Sequence, residues 1–171
     1  HAMCIERCLA ITKEDGAMSM IVPLSLPSTQ RMKCVQDMLE VGRSVWYSNF
    51  AWRPAKLFDQ VNRALTIFVA NPSGTPATLA TAYQKWTSDN RDGLIDRLSY
   101  VDVARPRPSF WVPKLGDPVE RAILSKVLSV RTKVSHFSGK SSHRVYYRTT
   151  GGLYWKVFTD FAPAFFADGV R

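Results

Sequence analysis

Cysteine is scarce in this 171-residue chain. Only Cys4, Cys8 and Cys34 occur, with no C-x-x-C pair and three histidines in all. An odd number of cysteines without that pair argues against a disulfide framework, and with no histidine nearby apart from the leading His1 a metal site is not expected. Cys4 and Cys8 are four apart, which puts both on one helix face. The expected state is buried free thiols in a reducing cytoplasm. Long hydrophobic runs are also lacking. The longest, Met18 to Leu24, is interrupted by Pro23 and is far too short to cross a bilayer. No signal-peptide pattern, internal repeat or low-complexity tract occurs, so a soluble, cytoplasmic chain with no membrane partner is expected. His1-Ala2 before Met3 reads as a cloning remnant. Acidic residues are few relative to basic ones, 14 against 23, leaving a formal net charge of +9. That surplus favours a polyanionic partner, nucleic acid being the commonest.

With 46% hydrophobic and 22% charged residues, the composition is that of an ordinary globular domain. Ile5, Cys8, Leu9 and Thr12 recur at helical spacing, and Gly16 is placed to end that helix in the left-handed conformation. Residues 17–24 are apolar on both faces, as in a strand inside a parallel sheet. Ser28 is placed to cap a helix carrying Met32, Val35, Met38 and Leu39, with Gly42 at its end. Residues 44–47 and 64–70 read as two further strands. The order to residue 70 is thus helix, strand, helix, strand, long loop, strand, the tail half of an α/β sheet. It is a thin core for an independent domain.

After the turn cluster at 71–76, residues 80–86 read as a strand, and Ser88 or Asp89 can cap a helix through Leu98. Residues 104–118 carry four prolines and form an extended connector. Asp117, Pro118 and Glu120 then open a helix with cap, first-turn proline and reach-back glutamate in register. Its apolar face is Val119, Ile123 and Val127, with Ala122 and Leu124 beside it. Residues 144–149 and 153–159 flank Gly151-Gly152 as a hairpin. The fold class expected is α/β, with residues 3–72 as one unit and 73–171 as a connector followed by a smaller α+β region.

The loop between the strands at 44–47 and 64–70 is long, yet it holds Phe50, Trp52, Leu57, Phe58 and Val61 among Arg53, Lys56 and Arg63. Aromatics interleaved with cations suit a surface that stacks on bases and holds phosphates. The alternative is that Trp52, Leu57 and Phe58 fold inward as core. For Arg53 and Lys56 the alternatives are phosphate contact, or solvation and an ion pair with Asp59. In the hairpin, Tyr146, Tyr147, Arg148, Tyr154, Trp155 and Lys156 cluster near the glycines, with Tyr146 and Arg148 on one face. Lys133, Lys140, His143 and Arg144 add positive charge before it, as a solvated loop or as further contacts.

The string SNFAWRPAKLFDQVNRALTIFVA, following GAMSMIVPLSLPSTQRMKCVQDML, resembles the N6-adenine DNA methyltransferases of restriction–modification systems, especially the Eco57I-like enzymes that pair methylation with restriction. RVYYRTTGGLYWKVF resembles a later piece of the same group. The resemblance implies the C-terminal part of a seven-stranded, Rossmann-like sheet, with residues 18–24 as its fifth strand. Residues 44–49 and 64–70 would be its last two, an antiparallel pair, and the remainder would lead into a target-recognition region. It implies S-adenosylmethionine as the intact enzyme's cofactor and double-stranded DNA as partner. It also implies Phe58 as the aromatic that faces a flipped adenine. The other DNA-binding candidates are Arg53, Lys56, Arg63, Tyr146, Arg148, Trp155 and Lys156.

The chain departs from the family at the chemistry. It has no Gly-rich strand-to-helix turn and no Asn-Pro-Pro-Tyr or Asp-Pro-Pro-Tyr string; the nearest, Asn71-Pro72-Ser73, is a turn in the wrong place. No catalytic, cofactor or metal residue is therefore expected in this chain, and it should be inactive alone. Further expected partners are the other half or another subunit of the methyltransferase, or a second copy at an exposed sheet edge. The alternative function is a stand-alone DNA-binding module or a subunit completing a split enzyme.

Overall fold

A computed structural model of the chain describes residues 1–72, 74–103 and 111–131. The fold is α/β, built on one mixed five-stranded sheet. The strands are β1 (Met18–Pro23), β2 (Ser44–Phe50), β3 (Leu65–Asn71), β4 (Thr78–Gln84) and β5 (Val101–Asp102), in the spatial order β1-β3-β2-β4-β5. The helices are α1 (Ala2–Ile11), a single turn α2 (Ser25–Ser28), α3 (Lys33–Glu40) and α4 (Pro118–Ser129).

β3 lies antiparallel to both β1 and β2, with Tyr47 opposite Phe68 and Met20 opposite Phe68 on its other side. β2 and β4 run parallel, with a register shift between Tyr47 and Asn49. The sheet therefore continues past residue 72, where the sequence places a division.

Strand alternation sorts the side chains onto two faces. Met18, Val22, Val45, Tyr47, Phe68, Ala70, Ala80 and Val101 share one face and form the main core with Ile5 of α1, Leu26 of α2, and Val35 and Leu39 of α3. Tyr47 and Phe68 are fully buried, each contributing roughly 1.5–3 kcal/mol of transfer free energy. Most buried polar groups on this side are bonded, Ser28 Oγ being without a partner among the described residues. The Tyr47 hydroxyl donates to Glu40 Oε1 (3.0 Å), and Gln36 Nε2 donates to the Leu26 carbonyl (2.7 Å). Asn49 ties three strands together. Its Nδ2 donates to the carbonyls of Tyr47 and Thr81, while Thr66 Oγ1 donates to its Oδ1.

Among the described residues the other face is covered at one end only. There Phe50, Ala51, Trp86 and Leu94 form a second cluster with Ala55, Leu57, Ile67, Tyr83 and Leu98. Towards β1 it is open: Ile21 is 49% exposed and Val69 37%. The outer edge of β1 pairs with no strand among the described residues.

Several sequence expectations are corrected. β1 is not an interior strand of a parallel sheet. It is an antiparallel edge strand, and its second apolar side, Ile21, faces outward. Gly16 does not end α1, which stops at Ile11 because Thr12 turns extended and its hydroxyl bonds the Cys8 carbonyl (2.6 Å). Glycine is needed at 16 for space, since a Cβ would lie 2.8 Å from Thr12 Cγ2. Ser28 caps nothing; it closes α2, and Met32 precedes α3. Residues 88–98 form a short 3-10 turn at Ser88–Asn90 and further turns, because Gly93 adopts a positive φ of 68° that breaks a helix. Cys4 and Cys34 are exposed and Cys8 half-buried, since α1 and α3 bury Ile5, Val35 and Leu39 instead.

The cap of α4 is as expected: Asp117 Oδ1 accepts from Val119 N (2.6 Å), and Glu120 reaches back to Gly116 N (2.8 Å). Its face of Val119, Ile123 and Val127 is exposed, and Leu124 is the residue that packs on the core. The hairpin expected at 144–159 lies outside the described residues. No described helix is long and apolar enough to cross a membrane.

Candidate nucleic-acid interface

Residues 51–64 connect the antiparallel strands β2 and β3, and the second hydrophobic cluster fixes their path. Phe50 meets Trp86 edge-on, ring centroids 5.9 Å apart. Ala51 N donates to the Gln84 carbonyl (2.8 Å) and Ala55 N to the Trp86 carbonyl (3.1 Å), so the loop's first arm runs along the end of β4. Leu57 is half-buried in the cluster. Its carbonyl accepts from Arg91 Nη2 (2.8 Å). The tip turns through Phe58–Val61, with Val61 N bonded to the Phe58 carbonyl (3.3 Å) and Gln60 at φ 64°.

This geometry divides the aromatics. Leu57 points into the cluster. Trp52 is half-buried, with the Arg53 guanidinium 4.2 Å from its ring centre, a cation–π contact that holds the charge in place. Phe58 is 41% exposed at the tip. The inward alternative thus describes Leu57 and half of Trp52, but not Phe58.

In front of the loop's first arm lies a concavity of about 860 Å³, lined by Trp52, Arg53, Pro54, Lys56, Asn62 and Lys85. A smaller hollow of about 310 Å³ shares Pro54 and Lys56 with it and adds Asp59, Trp86, Ser88 and Arg91. Among the described residues no ion pair joins Asp59 to Arg53 or Lys56, so these cations face the hollow uncompensated. Buried beneath is Trp86, 5% exposed, whose Nε1 has no hydrogen-bond partner among the described residues.

Of the sequence-derived site residues, Arg53 and Lys56 come together here. Phe58 sits at the tip of the same loop, and Arg63 is exposed but lines neither hollow. Tyr146, Arg148, Trp155 and Lys156 lie outside the described residues. Lys85 and Arg91 were missed. Nothing local in the sequence marks them, since the pairing of β4 with β2 brings them to the loop. Lys114 is a different kind of cation. It is 1% exposed among Val112 and Leu115, lines neither hollow, and burial lowers its pKa to about 7.

The described residues do not fit S-adenosylmethionine. The strand-to-helix turn after β1 runs Pro23-Leu24-Ser25, with no glycine to let a backbone approach the cofactor. No group of three or more metal-ligating side chains occurs among them. Comparison with protein-family models, with curated proteins and with solved structures finds no match for this chain.

Proposed function

We propose that this chain is the C-terminal part of an adenine-specific DNA methyltransferase, contributing the base-facing loop and part of the DNA-contacting surface. The observation that carries this reading is the loop at 51–64. It is anchored at both arms, holds Leu57 inward, and presents Phe58 outward beside a hollow lined by Arg53, Lys56 and Lys85. A large exposed aromatic next to uncompensated cations matches the two needs of a flipped nucleotide, stacking and phosphate contact.

Three further features support it. The first two strings carrying the resemblance span β1, the end of β2, this loop and β3, the third lying outside the described residues, and β2 pairs antiparallel with β3 as the resemblance implies for the last two strands. The uncharged edge of β1 and the open face at Ile21 and Val69 suit a sheet that continues into strands supplied elsewhere. The net charge of +9 suits a DNA partner.

In this reading the chain does not transfer a methyl group. When bound elsewhere in the intact enzyme, S-adenosylmethionine supplies the methyl. The residues here hold the extruded base and its backbone. Unstacking a base costs a few kcal/mol, and stacking on Phe58 offsets about 1–3 kcal/mol of that. The test is Phe58→Ala in an intact enzyme containing this segment. Methylation should drop by an order of magnitude or more with unfolding unchanged. Equal damage to stability and activity would make Phe58 a packing residue and remove the reading.

A further inference from the structure

The larger hollow joins two segments distant in sequence. Arg53, Lys56 and Asn62 come from the loop, and Lys85 comes from the residue after β4. The chain on both sides of Lys85 is tied to the loop, Gln84 through Ala51 and Trp86 through Ala55. Lys85 is therefore held at the rim by the fold. Among the described residues no carboxylate lines this hollow, whereas the smaller one beside it contains Asp59.

We propose that this hollow is a phosphodiester site, in which Lys85, Arg53 and Lys56 hold the backbone of a nucleic acid at about one dinucleotide step, with the Trp52 ring as its wall. The proposal rests on the nucleic-acid reading above and names the residues that make the contact. Three cations around one concavity repel one another, and an anion relieves that repulsion. Arg53 is already oriented by its contact with Trp52, which leaves the guanidinium edge free to donate to phosphate oxygens. Asn62, a neutral polar side chain in the described lining, offers both a donor and an acceptor to a sugar or base edge. The hollow is shallow and open to solvent, and wider than a lone phosphate needs, as suits an extended backbone.

The test measures binding of the full chain to a short DNA duplex by fluorescence anisotropy across a salt series. Lys85→Ala and Arg53→Ala are compared with Lys126→Ala, an exposed lysine on α4 that lines neither hollow. Losing one phosphate contact should make the log–log salt slope less negative by about 0.9 and weaken binding about fivefold near physiological salt. Lys85→Ala and Arg53→Ala should each show this, Lys85→Arg should restore it, and Lys126→Ala should change neither quantity. Lys85 and Arg53 are exposed, so unfolding midpoints should match across the set. Equal effects from Lys126→Ala and Lys85→Ala would overturn the site and leave the DNA reading standing. A parent chain that binds no duplex would overturn both.

Discussion

Replacing Lys114 by methionine should change how stability depends on pH, and the direction follows from where the lysine sits. Lys114 is 1% exposed, and desolvation lowers its pKa from 10.5 to about 7. Below about pH 7 the ammonium is protonated in both folded and unfolded chains, and the folded chain bears the net cost of burying it. Between about 7 and 10.5 the unfolded chain holds that proton while the folded chain does not, so the cost fades as pH rises. Over the whole window the lowered pKa corresponds to about 5 kcal/mol, or about 1.4 kcal/mol for each pH unit. Methionine keeps the apolar stem and carries no titrating group. Urea unfolding of both proteins at several pH values gives the difference directly, because every other titrating group cancels. The stability of the wild-type chain relative to Lys114→Met should climb steadily from about pH 7 to about pH 10. An offset that stays constant with pH would refute the reasoning, since it would place the lysine's titration outside this window.

Other perturbations separate the parts of the fold. Asn49→Ala removes three buried side-chain hydrogen bonds, two of which link β2 to β3 and β4. It should cost about 3 kcal/mol or more in a denaturant titration, because the Thr66 hydroxyl and the Thr81 carbonyl lose that partner in a closed core. Asp117→Ala should cost about 1 kcal/mol of helix stability. Because α4 buries no residue, the effect should appear as faster amide exchange within α4 and not as a lower melting temperature. Arg91→Ala breaks the bond to the Leu57 carbonyl. It should raise amide exchange in residues 57–61 while the exchange of β3 stays unchanged.

The local elements were legible where one pattern dominated. Residues 64–70 are rich in strand-forming residues, and Asp117, Pro118 and Glu120 stand in capping register, so β3 and the start of α4 could be placed from sequence. The turns at 88–98 misled because Ser88 and Asp89 both suit a helix cap, while the decisive residue is Gly93, whose positive φ stops the helix. β1 misled because an apolar run looks the same whether its second face is covered or open. Pairings distant in sequence were not legible. The parallel register of β2 with β4 is set by tertiary packing, and it alone brings Lys85 and Arg91 to the loop. Lys114 is invisible for the same reason, since hydropathy assigns a lysine to solvent. For the loop, the sequence supplied the mixture of aromatics and cations. Only the fold decides that Leu57 turns in while Phe58 turns out.

The central claim is that a basic hollow and an outward aromatic on one anchored loop engage DNA. Titrating this chain onto duplex DNA while raising the salt concentration tests it most directly. About five or six phosphate contacts, from the hollow's cations and neighbouring basic residues, predict a log–log slope of about −4 to −6. An affinity indifferent to salt would contradict the account.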